Sequence, residues 1–132
     1  MGKTRYNYDG ILEHLVERVK ETLGIDNVFA GTRPAAVKGT MNVFAVVELG
    51  NIYDGGDTYQ MSDEVNIYLF VKDKQSGIEN SRMLGEMTRR MAAALPIKDE
   101  LFFLSSPMLR YSGSDRMDYH VNIIGAEMLI YK

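Results

Sequence analysis

The chain has 132 residues and a formal net charge of −3, and its composition of 45% hydrophobic and 25% charged residues is typical of a folded globular domain rather than a disordered or fibrous chain. It contains no cysteine, which excludes disulfide bonds and thiolate metal sites. The acidic balance argues against a protein that gains its affinity by neutralising many nucleic-acid phosphates.

The first predicted element is an amphipathic helix, which follows a polar arm at residues 1–8 that we expect to be flexible. Asn7 or Asp9 is the candidate N-cap, and Gly24 suits the left-handed residue that ends a helix. Charged residues fill one side of this segment, and apolar residues recur at helical spacing on the other: Ile11, Leu12, Leu15, Val16, Val19 and Leu23. The pattern predicts a surface helix with one buried face.

The next segments favour strands separated by loops. Residues 28–30 form a short strand candidate, followed by a loop in which Gly31, Pro34 and Gly39 break regular structure. Residues 42–49 are apolar on both faces, which indicates a central strand covered on both sides.

An acidic, glycine-containing loop is predicted at residues 51–57, and a second long strand follows at residues 64–72. Side chains of this strand alternate between Val65, Ile67, Leu69 and Val71 on one face and Asn66, Tyr68, Phe70 and Lys72 on the other. The alternation predicts a half-buried strand whose second face is aromatic.

A second helix is predicted over residues 76–95. Ser76 and Glu79 stand in capping-box spacing, and Pro96 ends the helix because it disfavours helical backbone at Leu95. The apolar stripe is Met83, Leu84, Met87, Met91, Ala94 and Leu95.

The last third is predicted as a short strand at residues 101–104, a polar loop at 110–117 and a closing strand at 119–131. Gly125 suggests a bulge that would place two apolar sets on one face: Tyr119, Val121 and Ile123 with Ala126, Met128 and Ile130. The whole pattern predicts a single α+β domain at residues 1–132, in which an antiparallel or mixed sheet of four to six strands packs against two amphipathic helices.

Few residues are candidates for chemistry. The sequence contains no G-x-S-x-G elbow and no phosphate-binding glycine loop, and His14 and His120 are its only histidines. His14 is predicted on the solvent-exposed side of the first helix. His120 shares a predicted strand face with Asp118 and Asn122, so these three side chains form the one candidate ligand or metal site. One imidazole and one carboxylate fall short of the usual three protein ligands, which favours a structural role.

Two other groups have simpler explanations. Asp54, Asp57, Asp63 and Glu64 lack calcium-loop spacing, so a mobile acidic loop is the favoured interpretation. The strand aromatics could stack nucleic-acid bases, but the acidic balance favours their burial under a helix or a neighbouring subunit: Tyr68, Phe70, Tyr119 and Tyr131.

The order of elements resembles that of the tail terminator and tail completion proteins of long-tailed bacteriophages. The similarity covers residues 11–131, is closest at 44–49, 64–95 and 119–131, and is one of arrangement rather than of a signature motif. It implies a non-catalytic protein that assembles into a ring at the head–tail junction, with strand edges and the loop at 54–57 meeting neighbouring subunits or the tail tube.

From this resemblance we expect no catalytic, cofactor-binding or metal-binding residues. We expect the chain to associate with copies of itself, and to have tail-tube and head-completion proteins as its partners. The implied location is the bacterial cytoplasm during assembly and then the virion. No apolar run reaches the roughly 20 residues of a membrane helix, so we expect no membrane partner. We also expect no sequence-specific binding to nucleic acid. The alternative is a small ligand-binding or enzymatic domain with its site at His120 and Asp118.

Overall fold

The computed structural model describes residues 8–31, 41–75 and 77–132. Its described elements are α1 Tyr8–Leu23, β1 Val28–Ala30, β2 Val43–Leu49, β3 Tyr53–Asp54, β4 Tyr59–Lys72, α2 Ser81–Ala94, β5 Ile97–Lys98, β6 Phe102–Ser114 and β7 Tyr119–Tyr131. These seven strands form one open sheet in the order β1-β2-β4-β7-β6-β5, with β3 beside the start of β4. Only β1 and β2 are parallel among these pairs, so the sheet is mixed.

The α+β class with two helices is therefore confirmed, whereas the prediction of four to six strands was too low. Two of the additional strands, β3 and β5, have only two residues each. Pairs this short leave no periodic pattern in a sequence, because alternation needs at least four residues to show.

Helix α1 has the predicted buried face, with Ile11, Leu15 and Val19 almost fully buried. Gly24 ends the helix with φ of 67°, as predicted, and its N–H donates to the Lys20 carbonyl at 2.8 Å. Asp9 lies in the first turn instead of capping the helix, and Asn7 lies outside the described residues. Tyr8, assigned to the arm, belongs to the helix; the rest of that arm, 1–7, is not among the described residues.

Both helices pack on one face of the sheet, and the alternation in β2 and β4 works as predicted. The helix-facing cluster takes Ala45 and Val47 of β2 and, from β4, Val65, Ile67, Leu69 and Val71. The opposite face carries a smaller aromatic cluster in which Phe44 and Phe70 stack with ring centroids 4.3 Å apart. Strand β2 is thus buried on both faces.

The aromatic residues of the strands were expected under a helix or a neighbouring subunit. Tyr119 and Phe70 are buried within the subunit, on the face that lacks the helices, and Tyr68 packs at the edge of the same cluster. Tyr131 is exposed. Neither described helix covers these aromatic residues, because the apolar residues of β4 and β7 that face α1 and α2 are aliphatic or methionine. Cover by a neighbouring subunit stays a prediction.

The acidic segment is only partly a loop. Tyr53–Asp54 pairs with β4, which begins at Tyr59, so Asp63 and Glu64 lie within a strand. Asp63 accepts a hydrogen bond from the Tyr53 hydroxyl at 3.0 Å, and Asp54 pairs with Lys132 at 3.2 Å. The first contact joins the two strands of the hairpin, and the second joins the hairpin to Lys132.

Helix α2 begins later than predicted. Its N-cap is Asn80, whose side chain accepts the N–H of Met83 at 3.3 Å, and Ser76 of the predicted capping box lies outside the described residues. Leu95, with φ of −83° and ψ of 142°, leaves the helix before Pro96 as predicted. The start was misplaced because Asn80 caps a helix as well as serine does and gives no stronger sequence signal.

The last two strands differ most from the prediction. Strand β6 runs over Phe102–Ser114, so residues 110–114 of the predicted polar loop are strand, and only 115–118 connect it to β7. In β7 the alternation is continuous: Tyr119, Val121 and Ile123 face the aromatic cluster, and Ile124, Ala126, Met128 and Ile130 face the helices. The bulge predicted at Gly125 was wrong, because the register shifts lie in the neighbouring strands β4 and β6.

Candidate functional site

His120 and Asp73 form a buried histidine–carboxylate pair. His120 faces the helices near the start of β7. Asp73 directly follows the last residue of β4, and the pairing of β4 with β7 places Val71 opposite His120. His120 Nδ1 lies 2.6 Å from Asp73 Oδ1, and the two side chains are 10% and 1% exposed. The other Asp73 oxygen accepts the N–H of Gly77 at 3.0 Å. The pair thus links β7 to the segment that leads from β4 to α2.

Asn122 lies two residues further along the same face, beneath α2. Its Nδ2 donates to Thr88 Oγ1 at 2.8 Å, while the Thr88 hydroxyl donates to the Leu84 carbonyl at 2.7 Å. Asn122 Oδ1 is buried and has no hydrogen-bond partner among the described residues. An unsatisfied buried oxygen of this kind costs free energy, and a bound water molecule would satisfy it.

Glu79 and Tyr111 close the outer side of this group. The Tyr111 hydroxyl donates to Glu79 Oε1 at 2.6 Å. This hydrogen bond is the main cause that lowers the pKa of Glu79, and it raises the pKa of Tyr111. His120 adds a smaller charge effect on Glu79.

Of the three residues predicted to form one site, the structure brings together His120 and Asn122 but uses a different carboxylate. Asp118 adopts φ of 72° in the turn before β7, and its backbone carbonyl accepts the N–H of Asp73 at 2.8 Å. Sequence reasoning missed Asp73, although its parity with Val71 places it on the helix-facing side of β4. The register between β4 and β7, which brings Asp73 to His120, is not visible in either strand alone.

His14 was predicted to be exposed to solvent. In the structure it belongs to a second charged group. Asp99, in the turn between β5 and β6, accepts hydrogen bonds from His14 Nδ1 and Arg18 Nε, both at 2.8 Å, and from the N–H of Leu101 at 3.0 Å. Burial alone would raise the pKa of Asp99, but these three bonds outweigh it and lower the pKa. The Asp99 bond also raises the pKa of Arg18. Helix α1 is thereby fastened to the start of β6.

Three surface clefts of the described residues lie away from His120. One, of about 550 Å³, surrounds the Asp99 group and is lined mostly by acidic side chains, three of them from α1. A second, of about 690 Å³, lies between α1 and β1, and a third, of about 240 Å³, lies where β4, β6 and β7 meet. The His120–Asp73 pair is therefore enclosed by the fold and does not line any of these three clefts.

The outer half of β6 is the most unusual surface. Within the described residues, β5 pairs only with Phe103 and Leu104, so β6 from Met108 onward has β7 on one side and no strand on the other. Met108, Leu109 and Tyr111 are 65%, 58% and 61% exposed. We call residues 108–114 the β6 edge. An unpaired strand edge with exposed apolar side chains is an unprotected site for pairing with another chain.

Arg110 is a charged residue on the β6 edge that could discourage pairing with another chain, but its side chain is directed across β7. Arg110 Nη2 donates across β7 to Asn66 Oδ1 at 3.0 Å, and Asn66 in turn donates to Glu48 at 3.0 Å. Gly125 lies between them on β7, where a Cβ would stand 3.4 Å from Asn66 Oδ1 and 3.9 Å from Arg110 Nη2. Gly125 therefore gives this bond room, which is a role different from the predicted bulge.

The sequence matches no protein-family model and no curated protein. Within the described ranges, neither helix is long and apolar enough to cross a membrane. The same ranges contain no group of three or more histidine, cysteine, aspartate or glutamate side chains placed to hold a metal ion.

Proposed function

We propose that this chain is a structural assembly protein that acts by self-association, of the kind found among the tail terminator and tail completion proteins that its sequence resembles. The observation that carries the proposal is the β6 edge, which pairs with β7 on one side, pairs with no other described strand on the other side, and exposes Met108, Leu109 and Tyr111. The phage assignment itself is supported by the order of the elements alone.

The energetics of the β6 edge support association. Fully burying one leucine or methionine side chain contributes about 1.5–3 kcal/mol, so a partner that covers the partly exposed Met108 and Leu109 gains a part of that amount from each. The same partner can pair with the backbone N–H and C=O groups on the side of the strand that no other described strand occupies. Pro107, which has no N–H, precedes this segment, and no proline interrupts 108–114.

Multi-angle light scattering and negative-stain microscopy over a wide concentration range test the proposal. We expect a defined oligomer whose population rises with concentration, and a Leu109→Asp variant that stays monomeric, because a charge on this edge opposes both burial and pairing. Glu127→Lys, at an exposed site on the neighbouring strand, is the matched control and should associate normally. A strictly monomeric wild-type protein at high concentration contradicts the proposal.

The phage assignment has a separate test. Genes for capsid, portal and tail-tube proteins beside the gene for this chain would support it, and addition of the purified protein to tail tubes should then cap their ends in negative-stain images. A neighbourhood without virion genes contradicts the phage assignment and leaves self-association standing.

A second candidate function, a ligand-binding or enzymatic site at His120, is favoured by the buried His120–Asp73 pair. A carboxylate that binds one imidazole nitrogen fixes the orientation of the ring, as in many general bases. A thermal-shift screen of divalent metal ions and small carboxylic acids tests this candidate, with His120→Ala as the variant and His14→Ala as the control. Ligands that stabilise the wild type and the control but not His120→Ala support it; equal responses in all three proteins contradict it.

A further inference from the structure

The chain contains two Asp–Gly sequences, Asp9–Gly10 and Asp54–Gly55. An aspartate that precedes glycine is favourably placed for a reaction between its side-chain carboxyl group and the main chain, because glycine has no Cβ to hinder the next amide nitrogen. The reaction also requires that the backbone around the pair can leave its regular conformation. The folded environment of each pair therefore determines whether it reacts.

The first pair, Asp9–Gly10, is held in regular structure. It lies in the first turn of α1, and the next residue, Ile11, is only 2% exposed. On the other side of the pair, the hydroxyl of Tyr8 donates to the Leu49 carbonyl at 2.9 Å. A change of backbone conformation at Gly10 would withdraw Ile11 from the core, so the packing of α1 protects this pair.

The second pair, Asp54–Gly55, lies in a more open place. Asp54 is the last residue of β3, which has only two residues, and its side chain is 74% exposed. Residues 56–58 are exposed as well, so no buried side chain anchors them. The Gly55 N–H donates to the Tyr59 carbonyl at 3.2 Å, which is at the long end of the range for such bonds. We expect this turn to open more readily than the start of α1.

The ion pair of Asp54 gives little protection against this opening. Asp54 Oδ1 lies 3.2 Å from Lys132 Nζ, and the Lys132 side chain is 26% exposed. Ion pairs at the surface are among the weaker contacts in a protein, because water solvates both charged groups when they separate. The carboxyl group of Asp54 is therefore accessible to its own main chain.

The packing of the turn requires the glycine of this pair. A Cβ at Gly55 would stand 2.2 Å from Cε2 of the Tyr59 ring and 2.9 Å from Cγ of Met61. A larger residue at this position would displace the ring, since the interior of a protein leaves little room for such a shift. The reactive Asp–Gly sequence is thus a consequence of how the turn packs on β4.

We propose that Asp54 is a site of spontaneous conversion of aspartate to isoaspartate in the folded protein, and that Asp9 is not. The Gly55 nitrogen attacks Cγ of the Asp54 carboxyl group, the N–H proton and the carboxyl hydroxyl leave together as water, and a cyclic imide forms. A second water molecule adds to the former backbone carbonyl of Asp54, and the bond from that carbon to the nitrogen breaks. The main chain then passes through Cβ and Cγ of Asp54, and the former carbonyl carbon bears a free carboxyl group.

The conversion should loosen a defined part of the fold. The turn at 54–58 holds Lys132 through the Asp54 carboxylate and through the carbonyls of Gly56 and Thr58, which accept its Nζ and its N–H at 2.9 and 3.0 Å. A longer main chain at position 54 displaces these groups and weakens the pairing of β3 with β4. The β6 edge should keep its structure, because β7 separates β6 from β4.

Peptide mapping by mass spectrometry, after prolonged incubation of the whole chain at neutral pH, tests the proposal. Isoaspartate is identified by its altered chromatographic retention and its fragment ions, and the imide by the loss of one water. We expect isoaspartate at Asp54 in about tenfold or greater excess over Asp9 in the folded protein. In concentrated urea the two sites should react to a similar extent, because no packing then protects Asp9. Asp54→Glu is the matched variant and should remain unmodified, since its imide would need a larger ring.

Equal amounts of isoaspartate at Asp54 and Asp9 in the folded protein, or none at Asp54, would overturn the inference. Hydrogen exchange on the chromatographically separated isoaspartate form is the second measurement. Exchange should be faster at the Lys132 amide and unchanged in α1, and unaltered exchange at Lys132 would contradict the loosening of the turn. Light scattering should give the same degree of association for the two forms, so these results stand apart from the test of the proposed function.

Discussion

Strand β6 has two halves with opposite environments. In the inner half, Phe102 and Leu104 are fully buried, β5 pairs with the strand, and Asp99 just before it binds α1. In the outer half, Leu109 and Tyr111 face the same side of the sheet and remain exposed, with β7 as the one paired neighbour among the described strands. Both halves therefore carry large apolar side chains, but within the described residues only the inner half buries them in the subunit.

This difference assigns a distinct role to each half. The free energy that the inner half contributes to folding comes from burial within the chain, whereas the outer half has comparable side chains whose burial requires a second molecule. We expect substitutions in the inner half to lower the stability of the subunit, and substitutions in the outer half to leave stability unchanged and to affect association.

The largest predicted effect is that of Phe102→Ala. Removing a fully buried phenylalanine should lower the free energy of unfolding by about 3–5 kcal/mol, because the variant loses the burial of the ring and also leaves a cavity in the core. Leu109→Ala, the matched truncation in the outer half, should change it by less than about 0.5 kcal/mol. Urea unfolding at a concentration where the protein is monomeric measures both values. Similar losses for the two variants would contradict the division of β6 into two roles.

Asp99→Ala tests how the inner half is fastened to α1. The change removes the acceptor for His14, Arg18 and the Leu101 N–H, and we expect a loss of about 1.5–3 kcal/mol. The lowered pKa of Asp99 also predicts a pH dependence. The stabilising contribution is fully present above the pKa of the unfolded state and is lost as the pH falls through the lower pKa of the folded state.

Unfolding measured over a pH series checks this second expectation. The wild type should lose more stability than Asp99→Ala between neutral and strongly acidic pH. Asp63→Ala, which removes a carboxylate with one exposed hydrogen bond, serves as the control and should retain the wild-type slope. Parallel curves for wild type and Asp99→Ala would contradict the role given to these bonds.

Asp73→Ala tests the buried pair that lies beside the outer half, where His120 stands opposite Ser114. Without Asp73, the His120 Nδ1 and the Gly77 N–H both lose their partner, so we expect a loss of about 1–3 kcal/mol. Self-association should be unchanged once the variant is folded, because this pair is enclosed. Weakened association at unchanged stability would show that the outer half depends on the pair more than the geometry implies.

The sequence predicted those elements whose buried side is recorded in the spacing of their own apolar residues. The apolar spacing in α1 and the alternation in β2 and β4 record which side of each element is buried, and the structure confirms all three. The outer half of β6 was predicted as a loop because serine, glycine and arginine have low strand propensity. Its strand conformation comes from pairing with β7, which is a tertiary effect that propensity does not contain.

The candidate site shows the same limit. His120 and Asn122 were correctly placed together because they are two residues apart on one strand, which is local information. Asp73 was missed because it is 47 residues from His120 in the chain, and only the register between two strands brings them together. The β6 edge was missed because exposure depends on which neighbours a strand lacks, and a sequence pattern does not record a missing neighbour.

The smallest predicted effect is that of Tyr111→Phe, the outer half's counterpart to Asp99→Ala. It removes one hydrogen bond between exposed side chains, so the free energy of unfolding should change by about 0.5 kcal/mol or less. The pKa of Glu79 should rise, because the Tyr111 hydroxyl is the main cause that lowers it. A carboxylate titration followed by NMR measures this shift, with Tyr53→Phe as the control that leaves Glu79 unchanged. The ring itself remains available to a second copy, so association should be retained; if Tyr111→Phe abolishes it, the hydroxyl rather than the apolar surface carries the contact.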